Sequence, residues 1–208
     1  MGVRVVLFAL AGIIQCSAAV LQACSTTLLP QMDSAGAWHA QAGQDRLVSS
    51  ILNGRRNGYF VDLAAAAPLV LSNSRALERD FRWRGLCIEG NADLAAALSK
   101  QRSCTVIKSL ISSSAGNVTF AKQDSGRQGF SRIVATSRTG SKGQTQAASP
   151  LEAVLRANSA PAVMDYLSLD VRQLVSILRH LGRPIPATLS SCLASSPRAD
   201  RIENALRR

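Results

Sequence analysis

Apolar positions fall into two alternating patterns along the chain: short continuous runs, and stretches in which they recur every three or four residues. "GYFVDLA" (58–64) is a β-rich apolar run. After it, Ser72 or Asn73 can cap a helix that carries Ala76, Leu77 and Phe81 on one face. "GLCIEG" (85–90) supplies a second buried strand, and Asn91 caps a helix whose Leu94, Ala97 and Leu98 share a face, with Lys100 and Arg102 suited to its negative C-terminal end. "CTVIKSLIS" (104–112) reads as a third strand and "NVTF" (117–120) as a short edge piece. The polar Gly/Ser/Thr/Gln stretch 124–148 reads as a long mobile loop. "SPLE" (149–152) has the form of a capping box with Pro150 at the first helical position and Leu151, Val154 and Leu155 facing inward. "VMDYLSLDV" (163–171) is a further strand with Asp170 near its end. An amphipathic helix follows through Val171, Leu174, Val175, Leu178 and Leu181, closing at Gly182 ahead of Pro184. Strand and helix in alternation predict an α/β fold, a doubly wound and mostly parallel sheet with helices on both faces.

The first residues break this rhythm. "MGVRVVLFALAGIIQCSAAV" places one arginine before the apolar run 5–14 and small residues at Ser17, Ala18 and Ala19, the pattern of a secretory signal cleaved after Ala19. The run is shorter than the roughly 18–20 residues of a spanning helix; an uncleaved anchor extending through 18–21 and a lipoprotein-like box "LQAC" (21–24) are the alternatives. The expected organisation is therefore a signal or anchor at 1–19, a lead-in at 20–57, the principal domain at 58–183 and a divergent tail at 184–208. A length of 208 residues suits one such domain. Location in the secretory pathway or outside the cell follows, with membrane association through the N-terminus if it is retained.

Composition changes this picture little. Lys and Arg outnumber Asp and Glu by 24 to 13, a formal charge of +11. The arginines are scattered and not interleaved with aromatics, which points to a solvated basic surface and not to specific nucleic-acid binding. Of five cysteines none stands in a C-x-x-C spacing, so no metal site is expected, and Cys87 inside its strand reads as a small buried hydrophobe. Asn117-Val118-Thr119 is a glycosylation sequon, meaningful in a eukaryotic secretory pathway.

Ligands of open α/β sheets bind beyond the carboxyl ends of the strands, where strand order reverses. Asp62 and Glu89 stand at two such ends. An acid at the second strand end can accept hydrogen bonds from both ribose hydroxyls of an adenosine cofactor. The glycine fingerprint that cradles a pyrophosphate is missing; Ala64 to Ala67 stand there instead. Small side chains let backbone approach a ligand, or merely pack a strand end, but alanine takes up positive φ only at a cost.

"QAGQD" (41–45), "GYFVDLAAA" (58–66), "LSNSRALER" (71–79), "WRGLCIEGN" (83–91), "RSCTV" (102–106) and "MDYLSLDV" (164–171) together resemble successive blocks of FkbM-type methyltransferases, in order, over about residues 41–171. The resemblance implies S-adenosylmethionine as cofactor and O-methylation of a sugar, lipid or polyketide-like hydroxyl. It implies that Asp62 and Ala64 face the methionine part, that Glu89 meets the ribose, and that Gln41 and Asp45 belong to a segment closing over the site. Asp170 then stands near methyl transfer. His39 is a weaker candidate for a general base. The chain departs from the family at Ala65-Ala66-Ala67, where relatives carry polar residues or glycine, and after Val171, where the family's acidic continuation is replaced by Arg172-Gln173-Leu174. The first departure removes polar groups that could hold the cofactor's amino-acid end and predicts weaker binding; the second predicts a sheet left incomplete beside the Asp170 strand. Three readings remain: an O-methyltransferase, a degenerate cofactor- or glycan-binding domain, and a basic interaction protein acting through 124–148.

Overall fold

The computed structural model describes residues 38–40, 43–121, 132–134 and 143–169, together with the backbone of 6–9. It is a mixed α/β structure built on a parallel five-stranded sheet. The elements in chain order are strand β1 (Val6–Ala9), helix α1 (Gln44–Ile51), strand β2 (Tyr59–Leu63), helix α2 (Arg75–Phe81), strand β3 (Arg84–Glu89), helix α3 (Ala92–Gln101) and strand β4 (Thr105–Lys108). Strands β5 (Leu110–Ile111), β6 (Gly116–Ala121), β7 (Arg132–Val134) and β8 (Gln144–Ser149), helix α4 (Leu151–Ala157) and strand β9 (Tyr166–Leu169) follow.

Strand order in the main sheet is β1-β9-β2-β3-β4, and every pairing is parallel. The chain moves outward from β2 through β3 to β4 and then returns to lay β9 on the other side of β2. Strand order therefore reverses between β2 and β9. Period-two alternation sorts the side chains into two cores. Phe60, Cys87 and Tyr166 point to the face covered by Val48 of α1, Leu77 and Phe81 of α2 and Leu98 of α3. Val61, Leu63, Leu86, Ile88, Leu167 and Leu169 point to the opposite face, covered by Leu151 and Val154 of α4. Each fully buried aliphatic or aromatic side chain contributes about 1.5–3 kcal/mol, so these two layers supply the main driving force. β2 and β3 approach so closely that a Cβ on Gly85 would lie 2.2 Å from the carbonyl oxygen of Phe60. Only glycine fits there. At the opposite end of the sheet, Asp165 ties β9 to β2 by accepting from the Tyr59 N–H and pairing with Arg55 at 3.0 Å.

A second sheet, of order β5-β8-β6-β7, is hydrogen-bonded separately from the first, and Ile111 of β5 packs into the core on the α4 side of the main sheet. This second sheet corrects three expectations. The run 104–112 is not one strand: β4 ends at Lys108 and β5 joins the other sheet two residues later. "NVTF" is not an edge piece, because β6 lies between β8 and β7. The stretch read as a mobile loop contains β7 and most of β8, whose polar side chains alternate with little burial while the backbone bonds to β6. A polar strand carries almost no hydrophobic signal, so its pairing was invisible until its partner was placed.

Helix starts also differ. α2 begins after Ser74, not after Ser72 or Asn73, and no side chain caps it. "SPLE" forms no capping box, since Ser149 closes β8 and Pro150 occupies the N-cap of α4. Asn91 caps α3 as expected, accepting from the Asp93 N–H. The lead-in 20–57 contains α1, entered through Gly43 at φ 74°.

The strand ending before Asp170 has neighbours on both sides: β2, and on the far side β1. The edge expected to be empty is filled by the N-terminal apolar segment. Among the described residues no helix is long and apolar enough to cross a membrane.

Candidate functional site

The register pairs Asp62 with Cys87 and Leu63 with Ile88, so Glu89 lies one step beyond the end of β2, and Asp62 and Glu89 share a sheet face. On the other side of β2, Asp62 pairs with Ser168 of β9. Three neighbouring strand ends thus present Ser168, Asp62 and Glu89 side by side, on the face that carries α1, α2 and α3.

Asp62 is buried. The Ser74 hydroxyl donates to its Oδ2 at 2.6 Å, and Ser168 adds a second hydroxyl contact. Burial raises its pKa above the ordinary carboxylate value; the two hydroxyls and the nearby Arg102 act against that rise. Ser74 makes no cap bond; its hydroxyl donates to Asp62 and accepts from Arg102. Asn73 donates from Nδ2 to Ser168 Oγ at 3.0 Å. The result is a chain of polar contacts, Asn73 to Ser168 to Asp62, running across the switch in strand order.

Glu89 has a different role in the fold. Its Oε2 accepts from the Ala66 N–H at 3.0 Å and its Oε1 from the Asn91 N–H at 2.7 Å. The carboxylate thereby pins the loop after β2 to the loop after β3. Its pKa is raised, by burial first and also by the Asp62 charge, against the pull of these backbone donors. The Gly90 N–H is a third backbone donor to this carboxylate, so about one of its four acceptor sites is left for a ligand.

The alanine loop takes the shape that glycine would take with less strain. Ala64 has φ 62° and Ala66 φ 51°, both left-handed. The Ala64 and Ala65 N–H groups donate to the Ile88 carbonyl, and Ala66 donates to Glu89. These bonds hold alanine in a region that usually costs a non-glycine residue about 1–2 kcal/mol.

Arg102 closes the site from behind. Rather than serving the end of α3, its side chain turns inward, 2% exposed, and pairs with Glu78 at 2.6 Å. It also donates to Ser72 Oγ and Ser74 Oγ. Glu78 in turn accepts from Ser103, and its pKa is lowered: burial opposes, but the Arg102 and Ser103 donors win. Cys87 is no isolated hydrophobe. It forms a disulfide with Cys104, joining β3 to the entry of β4. Glu78 brings its carboxylate near both sulfurs, but the S–S bond removes them as metal ligands in this state.

Asp45 is fully buried at the start of α1 and accepts from the His39 and Ala40 N–H groups, fastening 38–40 to the helix. His39 rests against Arg79 at 3.2 Å, its pKa lowered by burial and by Arg75 and Arg79. Of the expected site residues, Asp62, Ala64 and Glu89 are brought together and Asp45 anchors the neighbouring α1. Gln41 and Asp170 lie outside the described residues. Sequence reading missed Asn73, Ser74, Ser168 and Arg102 as one cluster. The available signal was Ser168, a lone polar residue at an inward position of an otherwise leucine-rich strand.

Compared with family models, curated proteins and solved structures, the chain matches none.

Proposed function

We propose that the chain is a Rossmann-like, S-adenosylmethionine-binding domain that O-methylates a hydroxyl of a sugar, lipid or polyketide-like molecule. The observation that carries this reading is the placement of Asp62 and Glu89 on one face of neighbouring parallel strand ends, beside the reversal of strand order. Adenosine sites of α/β sheets use that position. The residues present fit the cofactor. Glu89 would hold the ribose through its remaining acceptor site, and the alanine loop, free of bulky side chains, would lie against the methionine part. The bound cofactor would supply a methyl group already activated on a sulfonium. The chain's own contribution is positioning and exclusion of water: Glu89 fixes the loop and Arg102 fixes the start of α2. Asp170, Gln41 and Asp45 enter this reading through the family resemblance, Asp170 as the acid nearest the substrate hydroxyl.

A second reading, a cofactor- or glycan-binding domain without turnover, is favoured by the state of Asp62. Its carboxylate is buried and engaged by Ser74 and Ser168 and so is already satisfied without a ligand. Titration calorimetry with S-adenosylmethionine, followed by a radiolabelled methyl-transfer assay on hydroxylated sugars and lipids, separates the two. Binding with transfer supports the first reading, and binding without transfer the second. Absence of binding removes both cofactor readings. The Cys87–Cys104 disulfide supports maturation in an oxidising compartment, in keeping with the export expected from the N-terminus.

A further inference from the structure

Asn73 is buried, 9% exposed, and its Oδ1 accepts no hydrogen bond among the described residues. The orientation of the amide follows from its neighbours. Ser168 has one hydroxyl proton, and its contact with Asp62, an acceptor when ionised, uses that proton. Ser168 must then accept from Asn73, so the amide nitrogen faces Ser168 and the carbonyl oxygen is left over. A buried acceptor left without a partner is costly, so it calls for one. The vacant oxygen stands over the reversal between β2 and β9. Asp62 beside it has hydroxyl partners but no direct ion pair among the described residues. An acceptor next to a buried carboxylate suits a donor that carries positive charge.

Resting on the cofactor reading above, we propose that Asn73 Oδ1 receives the ammonium group of the cofactor's amino-acid end. Glu89 takes the ribose at the end of β3, while Asn73 is anchored on β9, two strand spacings or about 10 Å away. An adenosyl-sulfonium amino acid bridges a gap of that order. Asn73 is a positioning residue, and Ser168 is the contact that aims it.

The test compares two ligands that differ at this end. S-adenosylmethionine carries the amino-acid group; 5′-methylthioadenosine keeps the ribose but lacks that group and the sulfonium charge, so the change on substituting Asn73, and not the wild-type preference alone, reads the amino-acid contact. Calorimetry on the full chain should show S-adenosylmethionine binding more tightly. Asn73→Ala should weaken it about tenfold or more while leaving 5′-methylthioadenosine unchanged, which also certifies the fold of the variant. Asn73→Asp loses the same donor to Ser168 but keeps an acceptor, and it should recover most of the lost affinity. Equal loss in the Ala and Asp variants, or no loss in either, overturns the inference while the cofactor reading stands. Wild-type protein that binds both ligands equally also overturns it alone. Wild-type protein that binds neither ligand removes the cofactor reading and this inference together.

Discussion

Single side chains at the strand ends carry opposing demands, and pH separates them. Asp62 is held at a raised pKa mainly by burial, so the folded state binds its proton more tightly than the unfolded chain, whose value is about 4. Its protonation favours folding below that value, and the favour is lost as pH rises through the folded pKa. Asp62→Asn mimics the neutral acid with a similar supply of donor and acceptor. It should raise the melting temperature at pH 7 and lose that advantage toward pH 4; a variant weaker at pH 7 than at pH 4 would mean that the charge itself is needed. Glu89→Ala deletes charged hydrogen bonds to Ala66 and Asn91, and to the ribose in the proposed complex. Cofactor affinity should fall by about 1–3 kcal/mol, read by calorimetry. Unchanged affinity rejects Glu89 as the ribose contact. Ala64 and Ala66 provide a third case: both sit at positive φ, where glycine is free of the Cβ penalty but gains entropy in the unfolded chain. Ala64→Gly and Ala66→Gly should each leave stability unchanged or raise it by up to about 1 kcal/mol in urea unfolding. A clear loss would mean that the methyl groups pack against something important.

At the scale of elements, the disulfide is the main covalent constraint described. It spans a sequence separation of 17 between β3 and the approach to β4, with α3 inside the loop. Closing a loop of that length removes denatured-state entropy worth about 3 kcal/mol. Reduction, or Cys87→Ala with Cys104→Ala, should lower the urea midpoint accordingly, and alkylation before reduction should leave both cysteines unlabelled. Free thiols at Cys87 and Cys104 in protein purified from an oxidising compartment would contradict the pairing. The link also bears on the site, because Cys87 pairs in register with Asp62 and lies on the same sheet face. Loosening β3 therefore loosens the strand end that carries Glu89.

For the whole molecule, the N-terminus has two incompatible uses. As a secretory signal it would be removed near Val20, and mass spectrometry of material from the native host should find that new end. As β1 it completes the sheet beside β9. A chain beginning at Val20 leaves β9 with one neighbour. Losing a few ladder bonds at about 0.5–1.5 kcal/mol each should cost on the order of 2 kcal/mol and promote self-association through the bare edge. Thermal melts and light scattering on chains starting at Met1 and Val20 read this directly. Recovery of intact Met1 or Gly2 from the host would reject cleavage and leave β1 in place. Equal behaviour of the two chains would show that β1 adds nothing to the sheet.

Hydrophobic patterning by itself located β2, β3, α3, α4 and β9, which stand where apolar runs and helical spacing put them, because burial depends on local periodicity; the β1 segment it read as a signal, and β4 as part of a longer strand. The positions of Asp62 and Glu89 at strand ends were legible for the same reason. Tertiary structure alone decided what closes the polar cluster. The partners of Asp62 come from Ser74, twelve residues on, and from Ser168, more than a hundred residues on, and no local pattern encodes such a meeting. The same holds for Cys87 with Cys104, for Arg102 turned inward, and for the polar strands of the second sheet. They rest on a disulfide, hydrogen bonds and ion pairs whose two halves are separated in the chain. A hydrophobic residue needs only an interior, which periodicity announces, whereas a buried polar residue needs one particular partner, which only the fold supplies.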